Sequence, residues 1–340
     1  MKSHHTSQTR RAPRWCLWNK GVAVLLTAFP VLGGMTSVQG AEQQPEHVGK
    51  SCTQTSGDAH LSCLFNSNSD FWLALAKCAN LLTADEQWAC QQTAREDKKS
   101  GDQDCQAQFA ARQAICAQLG EAPYHPLSDP KNFTTTIDNP YFTLTPGTTL
   151  IYEGQTAAGL EHEEFAVTHR TRKILGVRCV EVHDTSTVKG KLTEDTLDWF
   201  AQDKAGNVWY FGENSKQVAG GLVVGLEGSW IAGEDGAQPG IIMEAHPAVG
   251  DVYRQEFALG TAEDLAEVVS LNKSVTVPAG SFTHCLETQE TTPLEPDALE
   301  NKFYCCIKQT GNKCDFGANV LTKDITANES LLLVNIITGP

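Results

Sequence analysis

TEDTLDWFAQDKAGNVWYFGE, residues 193–213, contains two alternating runs rich in aromatic residues that flank a polar loop ending at Gly206. Alternation with a period of two, interrupted by a short loop that ends in glycine, is typical of a β-hairpin. A four-residue loop over 202–205 would place Asp198 opposite Trp209. The chain is therefore predicted to contain an antiparallel sheet built around this hairpin.

This register predicts a mixed face of carboxylates and aromatic rings on the hairpin. One face would carry Glu194, Thr196, Asp198, Trp209, Phe211 and Glu213, and the other Leu197, Trp199, Val208 and Tyr210. An unpaired carboxylate is costly to bury, so the first face is poor core material. We expect it to line a wet cavity or to face solvent.

The sequence on both sides of the hairpin has the same β character. From residue 133 to residue 340, short runs of Val, Thr, Phe and Tyr are separated by breaks such as Pro146-Gly147 and Gly220-Gly221. Consecutive antiparallel strands with short turns close most readily as a barrel or as a two-sheet sandwich. The predicted fold class is mainly β, an antiparallel β-barrel or two-sheet sandwich.

A small helical domain is predicted before the sheet, in residues 42–120. Its six cysteines, Cys52, Cys63, Cys78, Cys90, Cys105 and Cys116, are separated by 11, 15, 12, 15 and 11 positions, a mirror-symmetric series. Helical periodicity and a capping box at Thr83 predict three short helices, over 70–82, 83–97 and 103–119. Residues 121–132 contain three prolines and are predicted to be a linker.

The N-terminus is predicted to direct export. Basic residues precede the apolar run at 21–35, and small residues follow it, as in a cleaved signal over residues 1–41. The run is short and contains Pro30, so no stable membrane span is expected. Cleavage would remove five basic residues and take the formal charge from −15 to −20. Such an acidic, periplasmic or secreted protein is a poor candidate for nucleic-acid binding.

Eleven of the twelve cysteines would remain after removal of Cys16. In an exported chain, that number predicts disulfide bonds, including bonds among Cys285, Cys305, Cys306 and Cys314. Cys179 is predicted to be the unpaired thiol because it stands alone in an apolar run. Metal storage by the first six cysteines is the alternative, which the absence of C-x-x-C pairs disfavours.

Four motifs resemble a family of secreted bacterial proteins. They are TIDNPYFTLTPGTTLIYEG (136–154), VTHRTRKILGVRCVEVHD (167–184), the hairpin, and EGSWIAGEDGAQPGIIM (227–243). The resemblance covers residues 132–304 and the cysteine-rich segment, and it implies a secreted, mainly β protein without indicating an activity. The segment YCCIKQTGNKCDFG (304–317) departs from the plain apolar strand of similar proteins, so details of the last strands are not transferred.

Histidine and carboxylate side chains are the candidate acid–base or metal-binding groups. Alternation along 177–185 puts Cys179, Glu181 and His183 on one side, away from Val180, Val182 and Asp184. His183 could then join Glu194, Asp198 and Glu213 as an acid–base group or as a divalent-metal ligand. A structural role for the histidines is the third reading, since no paired-ligand motif is present. No other cofactor is predicted.

Four residues are candidate ligand contacts: Trp209, Tyr210, Arg254 and Glu181. Indole and phenol rings can stack on a flat or cationic ligand, although Tyr210 shares its predicted face with Leu197 and can equally serve as packing. Arg254 and Glu256 are two residues apart on one predicted strand face, where they could form a salt bridge or clamp a substrate.

These observations leave three functions open. The first is binding of a small polar or amphipathic molecule in a cavity of the β domain. The second is a lyase, isomerase or hydrolase reaction catalysed in the same cavity. The third is a structural or adhesion role in which no cavity exists. The sequence contains neither a G-x-S-x-G elbow nor a phosphate-binding glycine loop, which disfavours serine hydrolases and nucleotide-binding enzymes.

Overall fold

The computed structural model describes residues 49–126 and 128–339. The predicted signal, residues 1–41, and Cys16 lie outside the described residues. Within them the chain is mainly β, with two helices at the N-terminal side, and the predicted fold class is confirmed as a nearly closed antiparallel barrel.

Residues 49–126 and 128–339 form two long helices, a single 3₁₀ turn and a series of strands. In chain order they are α1 (Ser51–Ala79), α2 (Ala84–Leu119), the 3₁₀ turn (Pro130–Asn132), β1 (Phe133–Thr134), β2 (Ile137–Asp138), β3 (Thr143–Leu144), β4 (Thr148–Thr156), β5 (Gly159–Ile174), β6 (Val177–Val188), β7 (Lys191–Asp203), β8 (Val208–Ala219), β9 (Leu222–Gly225), β10 (Trp230–Ile231), β11 (Gln238–Met243), β12 (Val252–Arg254), β13 (Glu256–Phe257), β14 (Leu265–Val277), β15 (Gly280–Thr292), β16 (Glu295–Thr310), β17 (Lys313–Asp324) and β18 (Glu329–Thr338).

The two helices form an antiparallel hairpin held by three nested disulfides. Cys52 bonds to Cys116, Cys63 to Cys105 and Cys78 to Cys90. This nested pairing explains the mirrored cysteine spacing. Residues at equal distances before and after the turn face each other on two antiparallel helices. The predicted capping box at Thr83 is present, with Glu86 as the reciprocal partner.

The prediction of three short helices is wrong. Helix α1 begins at Ser51, where the carbonyl of Glu121 accepts from the first backbone N–H groups. The region predicted to separate the second and third helices stays helical through Gly101. There Lys98 and Asp102 form an i,i+4 ion pair of 2.6 Å, and the Ser67 hydroxyl of α1 donates to Asp102. These contacts offset the weak helix propensity of the Ser-Gly step.

The barrel is one antiparallel sheet whose two edges meet. Its strand order is β12-β14-β15-β16-β17-β18-β4-β5-β6-β7-β8-β11-β13. The edge strands β12 and β13 are consecutive in the chain and are joined only by Gln255. Gly240 on β11 permits this closure, since a Cβ there would collide with the Gln255 carbonyl oxygen.

Two buried apolar clusters pack within the β region. One centres on Phe211, Met243, Val268 and Leu286, and the other on Val320 and Leu333 with the Cys285–Cys305 disulfide. A fifth disulfide joins Cys306 to Cys314. All ten cysteines predicted to pair do so, and Cys179 is buried and unpaired within the described residues.

The helical hairpin contacts the barrel through polar groups. Arg112 of α2 forms a bidentate ion pair with Glu263, with N–O distances of 2.6 and 2.9 Å. The Gln108 side chain of α2 donates to the Leu294 carbonyl, and Tyr124, which follows α2, donates its hydroxyl to the Pro239 carbonyl. Neither α1 nor α2, the helices in the described part of the chain, is apolar enough over sufficient length to cross a membrane.

Candidate functional site

A cavity of about 520 Å³ lies within the barrel and is rich in carboxylates. It is lined by side chains from strands distant in sequence as well as by neighbours. The acidic lining residues are Glu161, Glu163, Asp184, Glu194, Asp198, Glu256, Asp264, Glu300, Asp324 and Glu329. Lys302 is the single basic residue in the lining.

The hairpin of β7 and β8 places part of this lining, with a register different from the one predicted. Ala201 pairs with Trp209, not with Gly206, because the loop is centred on residues 204–206. The Asp203 carboxylate accepts from the Asn207 backbone and side chain and from the Trp209 indole, which stabilises this turn. The register shift is three residues, an odd number, so Trp209 and Tyr210 exchange faces.

A β-bulge then restores part of the predicted face. Asp198 pairs with Glu213 while Phe200 pairs with Tyr210, so Trp199 lies opposite two residues of β8. Gly212 occupies the bulge with φ of 136°, and a Cβ there would collide with the Trp230 carbonyl. As a result, Tyr210 and Glu213 lie on the same face of the sheet as Asp198.

Asp198, Tyr210 and Glu213 share hydrogen bonds at one phenol oxygen. The Tyr210 hydroxyl lies within hydrogen-bond distance of Asp198 Oδ1 and of Glu213 Oε2, the latter at 2.9 Å. A phenol has one proton to donate, so both contacts can be hydrogen bonds only when one carboxyl group is protonated and donates back. The geometry therefore calls for a shared proton between two buried acids.

Burial explains why these acids can hold that proton near neutral pH. Desolvation raises the pKa of Asp198 to about 7, and Glu194 adds repulsion while the Tyr210 hydrogen bond opposes the shift. Desolvation, followed by repulsion from Asp198, raises the pKa of Glu213 to about 8. Both directions follow from the removal of charge from water beside like charge.

The same physics applies around the rest of the cavity. Desolvation, with repulsion from Glu161, raises the pKa of Glu163 to about 7, and desolvation also raises the pKa of Asp264 to about 6. Burial raises the pKa of Asp184 and Glu256 as well. Within the described residues, Asp184 Oδ1 is buried with no hydrogen-bond partner. The cavity therefore lacks the positive charge that its acids would require.

Lys302 compensates only a small part of this acidity. Its ammonium group lies 2.6 Å from Glu290 Oε2 and 3.7 Å from Glu300 Oε2. Glu290 also accepts from Thr288 and Gln255. These neighbouring acids raise the pKa of Lys302 although burial opposes them. The Lys302 ammonium group is thus held at one side of the cavity by these two acids.

Aromatic rings and aliphatic side chains form the apolar part of the wall. Phe200 stacks on Tyr210 with centroids 4.7 Å apart, and Phe142 packs against Phe200 and Tyr304. The cavity therefore combines negative charge with ring faces, the two features that favour an organic cation.

His183 does not lie in the cavity, so its predicted grouping with Asp198 and Glu213 is wrong. It pairs across the ladder with Leu197 and contacts Asp195 at 3.1 Å on the opposite face of the sheet. The alternation that freed His183 from the side of Val182 is correct, but the cavity is on the Val182 side. Asp184 takes the position beside Asp198 instead.

Two predicted ligand contacts, Trp209 and Glu181, also lie away from the cavity. Trp209 is held by Asp203 and packs edge-on against Phe133, a consequence of the register shift. Glu181 accepts from Arg170 at 2.6 Å and from the Trp199 indole at 3.3 Å. Of the predicted set, the structure brings together Glu194, Asp198, Tyr210 and Glu213, and their functional roles stay predictions.

Arg254 and Glu256 do not share a face, in contrast to the prediction. The backbone N–H groups of both Gln255 and Glu256 donate to the Asp264 carbonyl, which breaks the alternation where the barrel closes. Glu256 lines the carboxylate cavity. Arg254 instead lines a second cavity, between the helices and the barrel.

Several lining residues were missed by reasoning from the sequence, although one local signal was available. Glu161, Glu163 and Phe165 are alternate residues of β5 and all line the cavity, a pattern like that of the hairpin. Glu300, Lys302 and Tyr304 of β16 repeat this alternation, whereas Asp264 lies just before β14 and offered no comparable signal. In residues 49–126 and 128–339, no three His, Cys, Asp or Glu side chains are arranged to hold a metal ion.

Comparisons with known proteins add little to this geometry. No protein-family description matches the chain, and no curated protein matches it. A crystal structure described as a "putative lipoprotein" from Parabacteroides distasonis ATCC 8503 aligns with a TM-score of 0.32 at 13% identity, covering 58% of this chain and 98% of that one. This low score carries no functional argument, and the resemblance to secreted bacterial proteins stays a prediction.

Proposed function

We propose that the protein binds a small organic cation with an apolar or aromatic portion in the barrel cavity. The observation that carries the proposal is the charge imbalance of the lining, which has ten carboxylates and a single lysine already paired with Glu290. Buried carboxylates are stable when they are protonated or neutralised by a cation. A cationic ligand would replace the shared proton.

Size and wall chemistry support this ligand class. A volume of about 520 Å³ falls in the range of small-molecule sites. The Phe200, Tyr210 and Tyr304 rings would contact the apolar portion, while Asp184 and Asp198 would face the positive charge. This arrangement narrows the predicted polar or amphipathic ligand to a cation, and the presence of a cavity disfavours the purely structural alternative.

The proposed location is the periplasm or the extracellular space. Five disulfides are typical of proteins that fold in an oxidising compartment. The predicted signal at residues 1–41 supports export independently of the fold.

Isothermal titration calorimetry with benzyltrimethylammonium tests the proposal. This probe keeps its charge at all pH values, so any pH dependence comes from the protein. We expect binding to strengthen as the pH rises from 5 to 8, because the cavity acids lose protons over that interval. Benzyl alcohol and benzoate are the neutral and anionic controls and should bind at least about tenfold more weakly.

Matched variants locate the binding. Asp198→Asn should weaken binding of the probe by about tenfold, roughly 1.4 kcal/mol, while the exposed Glu234→Gln should leave it unchanged. Equal affinity for benzyltrimethylammonium and benzyl alcohol would show that charge is not recognised.

The shared proton favours a second candidate, acid–base catalysis in the same cavity. Asp198 and Glu213, both with pKa values near neutrality, lie on either side of the Tyr210 hydroxyl, where one could donate and the other accept a proton. Turnover of 4-nitrophenyl esters or glycosides that Tyr210→Phe and Asp198→Asn both abolish would support catalysis. Retained probe binding in Tyr210→Phe without turnover in either protein would support binding alone.

A further inference from the structure

We propose that the second cavity, between the helical hairpin and the barrel, is a separate binding site for a small carboxylate with an apolar tail. This cavity has a volume of about 410 Å³. Its apolar lining includes Ile115, Leu119, Phe257 and Leu259. It is independent of the carboxylate cavity and would recognise the opposite charge.

Arg254 supplies the positive charge. Its guanidinium stacks over the rings of Phe257 and Tyr124, at 4.8 and 5.5 Å from their centroids. Across residues 49–126 and 128–339, no carboxylate or carbonyl forms a salt bridge or hydrogen bond with its side chain. Ring stacking holds the planar group and leaves its N–H fork free, the arrangement that suits bidentate capture of a carboxylate.

The other charged groups at this cavity are already paired. Arg112 and Glu263 form their bidentate pair, and Glu263 also accepts from the Gly260 N–H at 2.8 Å. Glu121 is not among the lining residues, and its carboxylate accepts from the Thr53 N–H and hydroxyl in the first turn of α1. Because the charges of Arg112 and Glu263 cancel, Arg254 leaves one uncompensated positive charge among the lining residues. In agreement with this burial of an unpaired charge, desolvation lowers the pKa of the Arg254 guanidinium.

Ser56 provides a second, independent sign of a missing partner. Ser56 lines the same cavity and is 2% exposed, and its Oγ has no hydrogen-bond partner in the described part of the chain. A buried hydroxyl without a partner is costly. An acceptor in the cavity, such as a carboxylate oxygen, would satisfy it.

The chemical class of the ligand follows from these features. One anionic head fits one free guanidinium and one free hydroxyl, and the aliphatic and aromatic lining fits a short hydrocarbon chain. The Cys52–Cys116 disulfide also lines the cavity and ties the two helices together at this end. The cavity is thereby preformed, which lowers the entropic cost of binding.

A probe set of constant chain length tests the charge preference. Octanoate, octanol and octylamine are titrated calorimetrically into the full chain purified from an oxidising compartment. We expect octanoate to bind about tenfold or more tightly than octanol. Octylamine is a cation of the class proposed for the barrel cavity, so when added as a competitor it should leave the affinity for octanoate unchanged. Octanoate affinity equal to or below that of octanol would overturn the proposal.

Variants place the probe. Arg254→Gln should weaken octanoate binding about tenfold and change octanol binding less than about twofold. Arg178→Gln removes an arginine of the barrel that does not line the cavity and should change neither. Asp198→Asn should also leave octanoate unaffected, so failure of this site and failure of the cation site are distinguishable. Equal effects of Arg254→Gln and Arg178→Gln would contradict the assignment.

A crosslinking measurement on the unmodified sequence removes any dependence on the folding of the variants. Octanoate carrying a terminal diazirine should label peptides from residues 112–124 and 254–263 upon irradiation, and excess octanoate should abolish the label. Labelling confined to other strands of the barrel, or resistant to octanoate, would show that the cavity is not the site.

Discussion

The helical hairpin and the barrel are stabilised by different means. In the hairpin, the buried side chains are few and half of them belong to cystines: Ser56, Cys78, Ala94, Cys105, Arg112 and Cys116. Large apolar residues remain exposed there, including Phe65 at 72% and Trp88 at 65%. The barrel instead contains two apolar clusters and a continuous hydrogen-bonded sheet.

This difference explains where each region can tolerate polar groups. A hairpin constrained by covalent bonds does not need an apolar core, so it can leave a cavity and an unpaired arginine at its junction with the barrel. The barrel can enclose ten acids because its apolar clusters and sheet supply the stability that the acids reduce. We therefore expect removal of a disulfide to destabilise mainly the hairpin, and substitution of a buried acid to change mainly the stability of the barrel.

Removal of the longest disulfide should have the largest effect and should be confined to the hairpin. Cys52 and Cys116 are 64 positions apart, but the nested Cys63–Cys105 bond shortens the loop that they close to residues 52–63 and 105–116. The Cys52→Ala/Cys116→Ala variant should therefore lose about 3.5 kcal/mol through the entropy of the opened loop. Hydrogen exchange followed by mass spectrometry should show lost protection in α1 and α2 only.

Removal of Cys306 and Cys314, which close a loop of separation 8, is the matched control, with an expected loss of about 2.5 kcal/mol.

Independent stabilisation of the two regions also predicts that residues 133–340 fold without the hairpin. Loss of exchange protection across β4–β8 in the hairpin variant, or an unfolded 133–340 product, would show that the two regions are not independent.

Breaking the ion pair between the regions should have the next largest effect. Arg112→Met leaves Glu263, whose side chain is 2% exposed, without its counter-charge. We expect a loss of about 3 kcal/mol in urea unfolding, at the lower end for a broken buried pair because the adjoining cavity can admit water. Arg112→Met/Glu263→Gln should recover most of this loss, and a double variant no more stable than the single one would contradict this account.

The barrel acids should produce a smaller, pH-dependent effect of opposite sign. Burial raises the pKa of Asp198 from 3.8 to about 7, so the folded state binds a proton that the unfolded chain has released. That contribution favours folding fully below about pH 4 and is lost as the pH rises through 7. Asp198→Asn removes this titration.

The stability of Asp198→Asn relative to the wild type should consequently increase by about 2 kcal/mol between pH 5 and pH 8, measured by urea unfolding at both values. Glu234→Gln, on an exposed loop, serves as the control and should show no such trend. A relative stability independent of pH would mean that Asp198 is ionised throughout this range in the folded protein.

The smallest effect is expected at His183. It contacts Asp195 in a partly exposed pair on the face opposite the cavity, and such pairs contribute little. His183→Ala should change the free energy of unfolding by no more than about 0.5 kcal/mol and should leave benzyltrimethylammonium binding unaltered. A tenfold loss of binding in this variant would show that His183 belongs to the binding site.

The sequence by itself determined the features that depend on local periodicity and on composition. Alternating runs and turn residues were sufficient for the mainly β assignment, and the mirrored cysteine spacing was sufficient for a disulfide-bonded helical region. The apolar run around Cys179 was sufficient to single out the unpaired thiol. Each of these inferences uses spacing along a short stretch of sequence or the odd number of cysteines that remain after Cys16 is removed.

The tertiary structure alone decided which side chains share a cavity. An odd shift of register exchanged Trp209 and Tyr210, and the bulge at Gly212 returned Glu213 to the face of Asp198. Closure of the barrel at Gln255 separated Arg254 from Glu256, and the sheet placed Glu163 of β5, Asp198 of β7 and Lys302 of β16 around one cavity. Turn length, bulges and strand pairing depend on packing between distant segments, and local alternation cannot specify them.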